Sequence, residues 1–479
     1  MHTAETSQGG WRSAALTLAT AALALLGACT SYEPRPLVPE DEVASLRRTT
    51  VLGLRIEHAS PGSAEPSRGV RFDPGDGLDE AELIAVALTL NPALRARRLE
   101  LGEAKAVLIT AGLWPNPDLG AFLRPDLGAS SSLAIGLDLL APILRPDERP
   151  AMRAIAEARV EVVRATIAAE EYRVAADVRR ARLGILAADQ LVRQLQREAQ
   201  LRDDSVDLVR RQRELGEGTS TVVALVELDR ASILGELREA RAEFERGRRR
   251  LNRILGVPAE LDFPLAGLGQ PLTFVIHADP GDADIEHRVL AGRFDLRARE
   301  GVYRQSEQEL RLAVARQYPR FALGPSFEKD VDGDQGLGLG ASVEIPVFYR
   351  NQGEIAARYA ERERARAEYV ASLHGVLAQA FDARAEFRRA RQEVDLQQRE
   401  VLPLIERTET MFEGAFRARE ATVYEWITAR SRCLQARRDA LDALVDYTNA
   451  VAELEAATGM PLGQAPDRGG PPKHDDRPR

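Results

Sequence analysis

The chain has 479 residues, a net charge of −9 and aromatic side chains at only 5% of positions. This length allows several domains with a sizeable core, and the acidic balance argues against nucleic acid as a partner because negative charge repels phosphates. From Ala151 onward, Ala, Leu, Arg and Glu dominate. That composition favours long helices packed side by side over a mixed α/β globule, with the interleaved Arg and Glu on solvated faces.

The N-terminus, residues 1–28, has the pattern of a bacterial export signal. Arg12 precedes an apolar run, Ala14–Leu26, which at 13 residues is too short to cross a membrane as a helix. The end of this run, Leu26–Cys29 (LGAC), resembles the lipobox of bacterial lipoproteins. The resemblance implies cleavage before Cys29 and acylation of that residue. The alternative is an ordinary signal peptide that happens to contain a cysteine.

The stretch that follows, residues 29–76, is predicted to be a lipid-anchored tether and extended segment. Thr30, rather than an aspartate, comes after the cysteine, which by the same resemblance permits sorting to the outer membrane. Several acyl chains anchor a protein stably, whereas a single chain anchors it only weakly. The Pro-rich run Tyr32–Glu40 favours an extended backbone.

An internal duplication of about 200 residues organises the rest of the chain. Four landmarks recur at an offset of 203 or 204 residues: Trp114-Pro115 with Tyr318-Pro319, Pro142 with Pro346, Gly216–Thr219 with Arg419–Thr422, and Gly256–Pro258 with Gly459–Pro461. A register kept this closely predicts two repeats, residues 77–258 and 285–461. Each is expected to run as helix, strand, turn, strand, very long helix, tight turn and helix.

The segments outside the repeats have a different composition. Residues 259–284 carry three prolines and lose helical periodicity, so they are predicted to be a linker, with a short strand at Leu272–Ile276. Residues 462–479 contain mainly Pro, Gly and charged residues. That composition predicts a disordered tail.

Each repeat contains one segment of alternating apolar and small or polar residues, Leu133–Leu139 and Leu337–Val347. The less regular segments Leu119–Leu123 and Phe321–Phe327 are their predicted partner strands. This alternation fits transmembrane strands, although a soluble sandwich has the same pattern. Four strands cannot close a barrel, and an open edge in hydrocarbon leaves backbone groups unpaired. Membrane-spanning strands would therefore require a shared barrel, in which two chains give a filled lumen and three give a pore.

Two very long helices are predicted. No proline interrupts the helical pattern from Pro150 to Leu215, a run of 66 residues or about 100 Å. The corresponding run, Gln352–Ala418, contains only Pro403. Such helices are typical of coiled-coil assemblies rather than globular domains. Thr219 is the predicted N-cap of the helix after the first turn.

The sequence lacks a motif for catalysis or cofactor binding. Gly336–Gly340 superficially resembles a dinucleotide loop but lies in a predicted strand without a helix start. Asp330–Asp334 begins like a calcium loop, but Gln335 and Ala341 occupy the glycine and glutamate positions. The six histidines are scattered, and Cys433, within a helical pattern, is predicted to be a buried or half-buried thiol. Without a P-loop, nucleophile elbow or credible triad, we expect no enzyme activity, bound metal or cofactor.

Three further motifs carry a family resemblance. Leu88–Leu94 (LTLNPAL), Ala111–Leu119 (AGLWPNPDL) and Asn252–Pro258 (NRILGVP) resemble the opening helix, the helix-to-strand junction and the repeat-closing segment of TolC-like outer-membrane efflux proteins. With the duplication, the resemblance covers essentially the whole mature chain. It implies a mainly α fold with a membrane β-barrel, in which a homotrimer forms one twelve-stranded barrel and a coiled-coil tunnel. It also implies docking onto a periplasmic membrane-fusion adaptor and an inner-membrane pump.

Within this family, Pro115–Pro117 (PNP) and Phe348–Gly353 (FYRNQG) look most like the branch that serves heavy-metal cation efflux. The pump of that branch is of the resistance–nodulation–division type. A passive duct need not bind its cargo, so the scattered histidines are compatible with this assignment. A drug pump or a type I secretion transporter stays open as the partner.

The two helix-to-helix turns are the predicted functional sites, because in the family they meet the adaptor and close the tunnel. Gly216, Gly218 and Thr219 match the first turn. Ala421 and Thr422 match the second turn.

The second turn departs from the family pattern at two positions. Arg419 stands where a glycine is usual, so we do not expect identical adaptor geometry there. Thr428 stands where the family has an aspartate. Glu425, one helical turn earlier, is therefore our candidate for a ring of carboxylates at the closed aperture. The alternative is an ordinary solvated glutamate.

One other class of protein accounts for part of the sequence, a periplasmic coiled-coil lipoprotein that acts as a scaffold and not as a channel. It explains the export signal, the lipobox and the long helices. It leaves the duplicated alternating segments unexplained, and ion conductance would separate the two interpretations.

Overall fold

The computed structural model describes residues 32–49, 55–58, 67–71, 77–125, 133–272, 274–330, 332, 334–418 and 420–463. The predicted export signal with Cys29, most of the predicted tail, and Arg419 lie outside the described residues. The chain divides into two compact units, residues 1–49 and residues 50–479.

The described part of the first unit contains helix α1 (Pro39–Arg48) after an irregular segment. Three acidic residues occupy its first turn and Arg47 and Arg48 its last, which is the arrangement that the helix dipole favours. None of the helix residues is buried. The prediction of an extended tether did not include this helix, which its charge pattern stabilises without a core.

The second unit contains a small antiparallel pair and then two series of elements in the same order. The pair is β1 (Arg55–His58) and β2 (Ser67–Arg71). The first series is α2 (Glu80–Leu90), α3 (Pro92–Gly112), β3 (Asp118–Pro125), β4 (Leu133–Ile143), α4 (Glu148–Glu214) and α5 (Ser220–Leu255). The second series is α6 (Asp282–Gly292), α7 (Phe294–Ala315), β5 (Arg320–Lys329), β6 (Gln335–Glu344), α8 (Gln352–Leu396), α9 (Leu402–Arg417) and α10 (Val423–Thr458).

The two series also have residues with positive φ at equivalent positions. Asp147 (φ 65°) and Asn351 (φ 59°) both adopt the left-handed conformation immediately before the long helices α4 and α8. Asp and Asn tolerate this conformation better than other non-glycine residues. Gly256 (φ 78°) and Gly459 (φ 73°) end the last helix of each series in the same conformation. The chain therefore follows an equivalent path at equivalent positions of both halves.

The main sheet has four antiparallel strands in the order β3-β4-β5-β6. Its central pairing joins the two halves, with Leu137 of β4 opposite Phe327 of β5. Strands β3 and β6 are the edges, so each has one side whose backbone groups are unpaired in the single chain. The strands predicted from alternation are confirmed. Strand β6, however, ends at Glu344, before the last two apolar residues of the predicted segment, because Pro346 cannot extend a ladder.

The segment between the two series packs on the helices without forming the predicted strand. Among the described residues of Leu272–Ile276, none is in a strand. The Tyr447 hydroxyl instead holds this segment, since it accepts a hydrogen bond from the His277 N–H (2.8 Å) and donates one to the Val275 carbonyl (3.1 Å). Phe274 packs edge-on against the Tyr447 ring, with 6.1 Å between ring centroids. The apolar residues that suggested a strand are used as anchors on the helical core.

The second long helix is interrupted where the first is continuous. Helix α4 runs unbroken for 67 residues, whereas α8 passes through a π-helical turn, Gln397–Val401, into α9. The Leu402 N–H donates to the carbonyl of Gln397, five residues back. Pro403 explains the turn, because proline has no N–H and its ring clashes with the preceding turn of a regular helix.

None of the helices in the described ranges is both long enough and apolar enough to cross a membrane.

Candidate functional site

The four-stranded sheet has two chemically different faces. One face is apolar along all four strands, apart from Lys329 and Gln335 at the loop end. Its large side chains are Leu119, Leu123, Leu133, Ile135, Leu137, Leu139, Ile143, Phe321, Leu323, Phe327, Leu337, Leu339 and Val343. Leu337 and Leu339 are 89% and 80% exposed in the single chain. So large an exposed apolar surface requires a cover of lipid or protein.

The opposite face is concave and carries mostly small and polar residues, with Phe122 and Leu140 as its large apolar side chains. Strand β4 contacts β6 although β5 lies between them, which shows how strongly the sheet curls. Leu140 of β4 reaches across Gly324, and its Cδ2 atom lies 3.3 Å from where a Cβ of Gly340 would be. A Cβ at Gly324 would overlap the backbone carbonyl oxygen of Leu139. Glycines on the inner face thus permit a curvature that side chains would prevent.

The first predicted turn, between α4 and α5, is a tight glycine-capped connection. Gly216 adopts φ 79°, its N–H donates to the Arg213 carbonyl, and the next N–H donates to the Gln212 carbonyl (2.9 Å). These two bonds satisfy the last carbonyls of α4. Thr219 is the N-cap of α5, as predicted, and its hydroxyl accepts from the Val222 N–H at 3.4 Å.

Gly218 has a steric reason for its place in this first turn. A Cβ added there would lie 3.2 Å from the backbone nitrogen of Arg213. The chain therefore turns back so closely on the end of α4 that a larger residue would push the turn outward.

The second predicted turn, between α9 and α10, has the equivalent of the Glu217 bond and a stronger cap. The N–H of Glu420 donates to the Ala415 carbonyl at 2.8 Å, which matches the bond made 203 residues earlier. The N–H of Ala421 donates to the same carbonyl at 3.2 Å. Thr422 then caps α10, because its hydroxyl accepts from the Glu425 N–H (3.2 Å).

The Glu425 carboxylate belongs to this cap. It accepts hydrogen bonds from the Thr422 N–H and the Thr422 hydroxyl, each at 2.8 Å. These donors lower the pKa of Glu425 below that of an ordinary glutamate, so the side chain stays ionised at neutral pH. Thr428 is half-buried one turn further along, and both residues line a groove of about 430 Å³ between α9 and α10. The two predicted aperture residues therefore share one surface.

The structure places the two turns at the same end of the helices. Ile427 of α10 is buried in an apolar cluster with Val206 and Val209 of α4 and with Val223 and Val226 of α5. This packing brings the N-terminus of α10 against the first turn. The turns thus form one composite tip rather than two separate sites.

A buried ion cluster near this tip was missed from the sequence. Arg202 of α4 is fully buried, with its Nε 2.5 Å from Asp229 Oδ2 of α5 and its Nη1 3.3 Å from Glu198 Oε2. Arg430 of α10 approaches the same Glu198 carboxylate at 3.7 Å, and the Arg202 Nη2 donates to Ser431 Oγ at 3.3 Å. The cluster links three helices. Its only sequence signal is a Glu198–Arg202 spacing that solvated helix faces also show.

The described ranges offer no candidate metal site, and their cysteine is not an activated thiol. No group of three or more His, Cys, Asp or Glu side chains that could hold a metal ion occurs there. The predicted burial of Cys433 is confirmed, and burial raises the pKa of its thiol. A protonated, buried thiol is a poor nucleophile.

Comparison with known proteins agrees with this architecture. The sequence profile of the family "Outer membrane efflux protein" matches residues 286–460. The cobalt-zinc-cadmium resistance protein CzcC of Cupriavidus metallidurans is 21% identical over 422 residues, which cover 85% of this chain and 98% of CzcC.

Solved structures share the fold of most of the chain. The Campylobacter jejuni CmeC outer membrane channel superposes with a TM-score of 0.66 at 15% identity, over 91% of this chain and 96% of CmeC. CusC, whose structures concern transmembrane channel formation, gives a TM-score of 0.65 at 15% identity, over 80% and 92% of the two chains. The open-state MtrE channel of Neisseria gonorrhoeae gives 0.64 at 17% identity, over 80% and 89%.

Proposed function

We propose that this chain, which shows the predicted resemblance to outer membrane efflux proteins in the sequence of its second half and in its fold, is one subunit of an efflux channel. Three copies would close a barrel through the outer membrane and continue it as a helical tunnel in the periplasm. The chain would conduct passively, between an adaptor and inner-membrane pump on one side and the exterior on the other.

The two-faced sheet with two open edges carries this proposal. An apolar convex face suits lipid, and a concave face of glycines and polar residues suits a water-filled lumen. Unpaired backbone groups at the edges are not tolerated in hydrocarbon, so β3 of one chain needs β6 of another. Three chains with four strands each provide twelve strands, which is enough for an open pore.

The helical part supports the same assembly. The groove between α9 and α10 is lined by Leu404, Ile405, Phe412 and Tyr424, and Leu404 and Tyr424 are mostly exposed in the single chain. We infer that a neighbouring subunit covers this apolar surface. The stability of the trimer would then come from barrel closure and helix packing together.

The composite tip is the surface that we assign to the periplasmic adaptor. Gly216, Gly218 and Thr219 shape one of its turns, and Ala421 and Thr422 shape the other. Arg419, at the second turn, would give each subunit one turn that differs from a glycine turn. We therefore expect two non-equivalent adaptor contacts per chain.

Membrane attachment is proposed to involve acylation of Cys29. The lipobox resemblance supports this assignment, and the acyl chains would lie in the outer-membrane lipid beside the barrel. A Cys29→Ala variant that lacks the lipid anchor should still trimerise if the barrel is the main membrane element.

Heavy-metal cations are the cargo that we propose, exported by a pump of the resistance–nodulation–division type. The name of the CzcC relative, a cobalt-zinc-cadmium resistance protein, supports this class. Drug efflux and type I secretion are the alternatives, because the channel need not recognise its cargo. A scaffold without a channel is less favoured, because it does not explain a sheet with one apolar and one polar face.

Cysteine accessibility tests the central assignment with two adjacent residues. Asp138 lies on the concave face and Leu137 on the convex face of the same strand. In cells, a hydrophilic thiol reagent should label Asp138→Cys in the lumen and should leave Leu137→Cys, which faces lipid, unlabelled. Cys433 is buried, so the background should be low. Equal labelling of both variants, or the absence of ion conductance in reconstituted wild-type protein, would refute the channel.

A further inference from the structure

We propose that the Asp138 carboxylate makes the sheet-lined part of this channel selective for cations. The inference rests on the proposed function, because it takes the concave face of the sheet as the wall of the conducting path. It adds a specificity-determining residue that lies far from the helical turns, where the sequence led us to look for one.

Asp138 occupies the middle of a row of very small residues. The row crosses the concave face as Gly120, Asp138, Ser326 and Gly338, one residue from each strand. The carboxylate lies directly over Gly120, where an added Cβ would overlap its oxygens. The row itself holds no bulky side chain beside the charge, and the adjacent rows hold Phe122, whose ring lies over Gly136, and Leu140.

The Asp138 charge is not neutralised by a neighbour. Among the described residues, no arginine, lysine or histidine lies within ion-pair distance of its carboxylate, and no hydrogen bond to that carboxylate is formed. Asp138 is half-buried, so part of its surface is in contact with solvent. Water and mobile ions are therefore its remaining partners.

The other charged residues of the concave face lie toward its two ends. Near the helices are Asp118, Arg320 and Glu344, and near the loops are Arg124 and Glu328. With Asp138, the face has four carboxylates and two guanidinium groups, which is a net charge of −2 per chain. Three copies around an axis would repeat this excess three times. Rings of carboxylates in a pore are a common basis of cation selectivity.

Two of the charged residues at the ends of the concave face have ion-pair partners outside the sheet. Arg124 pairs with Asp330 at 3.5 Å, and Glu344 lies 3.9 Å from Arg145. Their influence on a passing ion is reduced by these partners. Asp118 and Glu328 form no ion pair among the described residues either, so Asp138 differs from them by its place at mid-height of the sheet.

The contrast with Glu425 sharpens the choice of residue. The Glu425 carboxylate is held by two donors of Thr422 at the N-terminus of α10, and the positive end of that helix offsets its charge. Asp138 has neither compensation. We therefore place cation selectivity in the sheet rather than at the predicted aperture.

The test is the reversal potential of purified, full-length channels in planar bilayers under a KCl gradient. At a mean concentration near 0.1 M, the screening length is about 10 Å, so a ring of three charges should act across much of the lumen. We expect Asp138→Asn to reduce the potassium-to-chloride permeability ratio by roughly three- to tenfold. Asp138→Glu, which keeps the charge, should retain the ratio, and Glu425→Gln should leave it unchanged.

Chemical modification of inserted channels removes any dependence on the folding of the variant. Asp138→Cys channels that are already conducting would be treated with a sulfonate-bearing or an ammonium-bearing methanethiosulfonate. The negative adduct should restore cation preference, and the positive adduct should shift the channel toward anions. Wild-type channels, whose Cys433 is buried, serve as the control.

The failure of this inference is distinguishable from failure of the proposed function. If wild-type channels conduct but Asp138→Asn and both adducts leave the permeability ratio unchanged, the Asp138 assignment is wrong and the channel assignment stands. If Glu425→Gln alone removes the selectivity, the aperture interpretation replaces it. If wild-type protein does not conduct at all, both proposals are overturned together.

Discussion

The two helical hairpins of this chain occupy equivalent positions in the two halves, but they differ in the continuity and burial of their long helices. In the first, α4 is a single helix of 67 residues with buried positions along most of its length. In the second, the equivalent path is divided into α8 of 45 residues, a π-helical turn and α9 of 16 residues. Only Ile405 is buried in α9. A duplication can therefore preserve the path of the chain while it changes how firmly each copy is held.

The comparison also shows what holds the second hairpin to the first. Helix α10 contacts α4 through Ile427 and through the ion cluster around Arg202, to which it contributes Arg430 and Ser431. Helix α9, in contrast, presents an apolar groove to the surroundings. We infer that the first hairpin is self-supporting, whereas the second depends on the contacts of α10 with the first hairpin and on neighbouring subunits.

Loss of Arg202 should have the largest effect on this arrangement. Arg202→Met leaves Glu198 and Asp229 without the guanidinium that lies between them, and breaking a buried ion pair costs about 3–5 kcal/mol. Denaturant unfolding of the detergent-solubilised protein would measure the loss. The matched control is Arg210→Met, because Arg210 pairs with Glu227 across the same two helices at 2.6 Å but on the exposed surface. The control should cost less than about 1 kcal/mol, and similar losses in both variants would contradict the role of the cluster.

A proline in the first hairpin should reproduce the interruption of the second. Gln200 is the position of α4 that corresponds to Pro403 at the offset of 203 residues, and its side chain is exposed. We expect Gln200→Pro to destabilise the protein by about 3 kcal/mol, with faster amide exchange within one turn of the substitution. Gln200→Ala is the control and should be nearly neutral. Unchanged exchange around the proline would mean that α4 tolerates a break as well as α8 does.

The caps of α5 and α10 should differ in strength by a smaller amount. Thr422→Ala removes a reciprocal capping box, and we expect it to cost about 1 kcal/mol and to raise the pKa of Glu425. Thr219→Ala removes only one long hydrogen bond, so its cost should be lower. Amide exchange in the first turns of α5 and α10 would measure the loss of stability in each variant. A larger effect at Thr219 would reverse the proposed order.

The smallest expected effect is a pH dependence of the second turn. The pKa of Glu425 is lowered in the folded chain, so its stabilising contribution is complete above the ordinary glutamate pKa and is lost as the pH falls through the folded value. Fluorescence of Trp426, one residue away, should report fraying at acid pH in a Trp114→Phe background. Glu425→Gln should abolish this acid transition. Persistence of the transition in that variant would assign it to another group.

Regular periodicity made most of the fold predictable. Alternation identified the strands, the absence of proline identified α4, and the residues at each turn identified the helix ends. The predicted strand at Leu272–Ile276 was wrong because a short apolar run cannot distinguish pairing with a sheet from anchoring on a helix. The Tyr447 hydroxyl anchors this segment on the helices, and Tyr447 lies about 170 residues away in the chain, so no local pattern shows the contact.

The candidate sites were predictable only in part. Thr422 and Glu425 stand three residues apart before an apolar run, which is a recognisable capping box, so the structural role of Glu425 could have been identified from the sequence. The ion cluster of Arg202 could not have been identified from the sequence, because one buried arginine among many exposed ones leaves no local pattern. The curvature of the sheet depends on Gly324 and Gly340 of two different strands, which approach β4 only in the folded sheet.

The pairing of β4 with β5 has a consequence for the order of events during biosynthesis. Ile135 pairs with Lys329, which follows it by 194 residues, so the central ladder cannot form until both halves of the chain have emerged. Contacts between such distant segments form slowly. During that interval β4 can pair with β3, but its other edge has no partner and the apolar face of this two-stranded unit is uncovered, so the first half is prone to aggregate. We therefore expect the first half of the chain to need protection from aggregation until the second half has emerged.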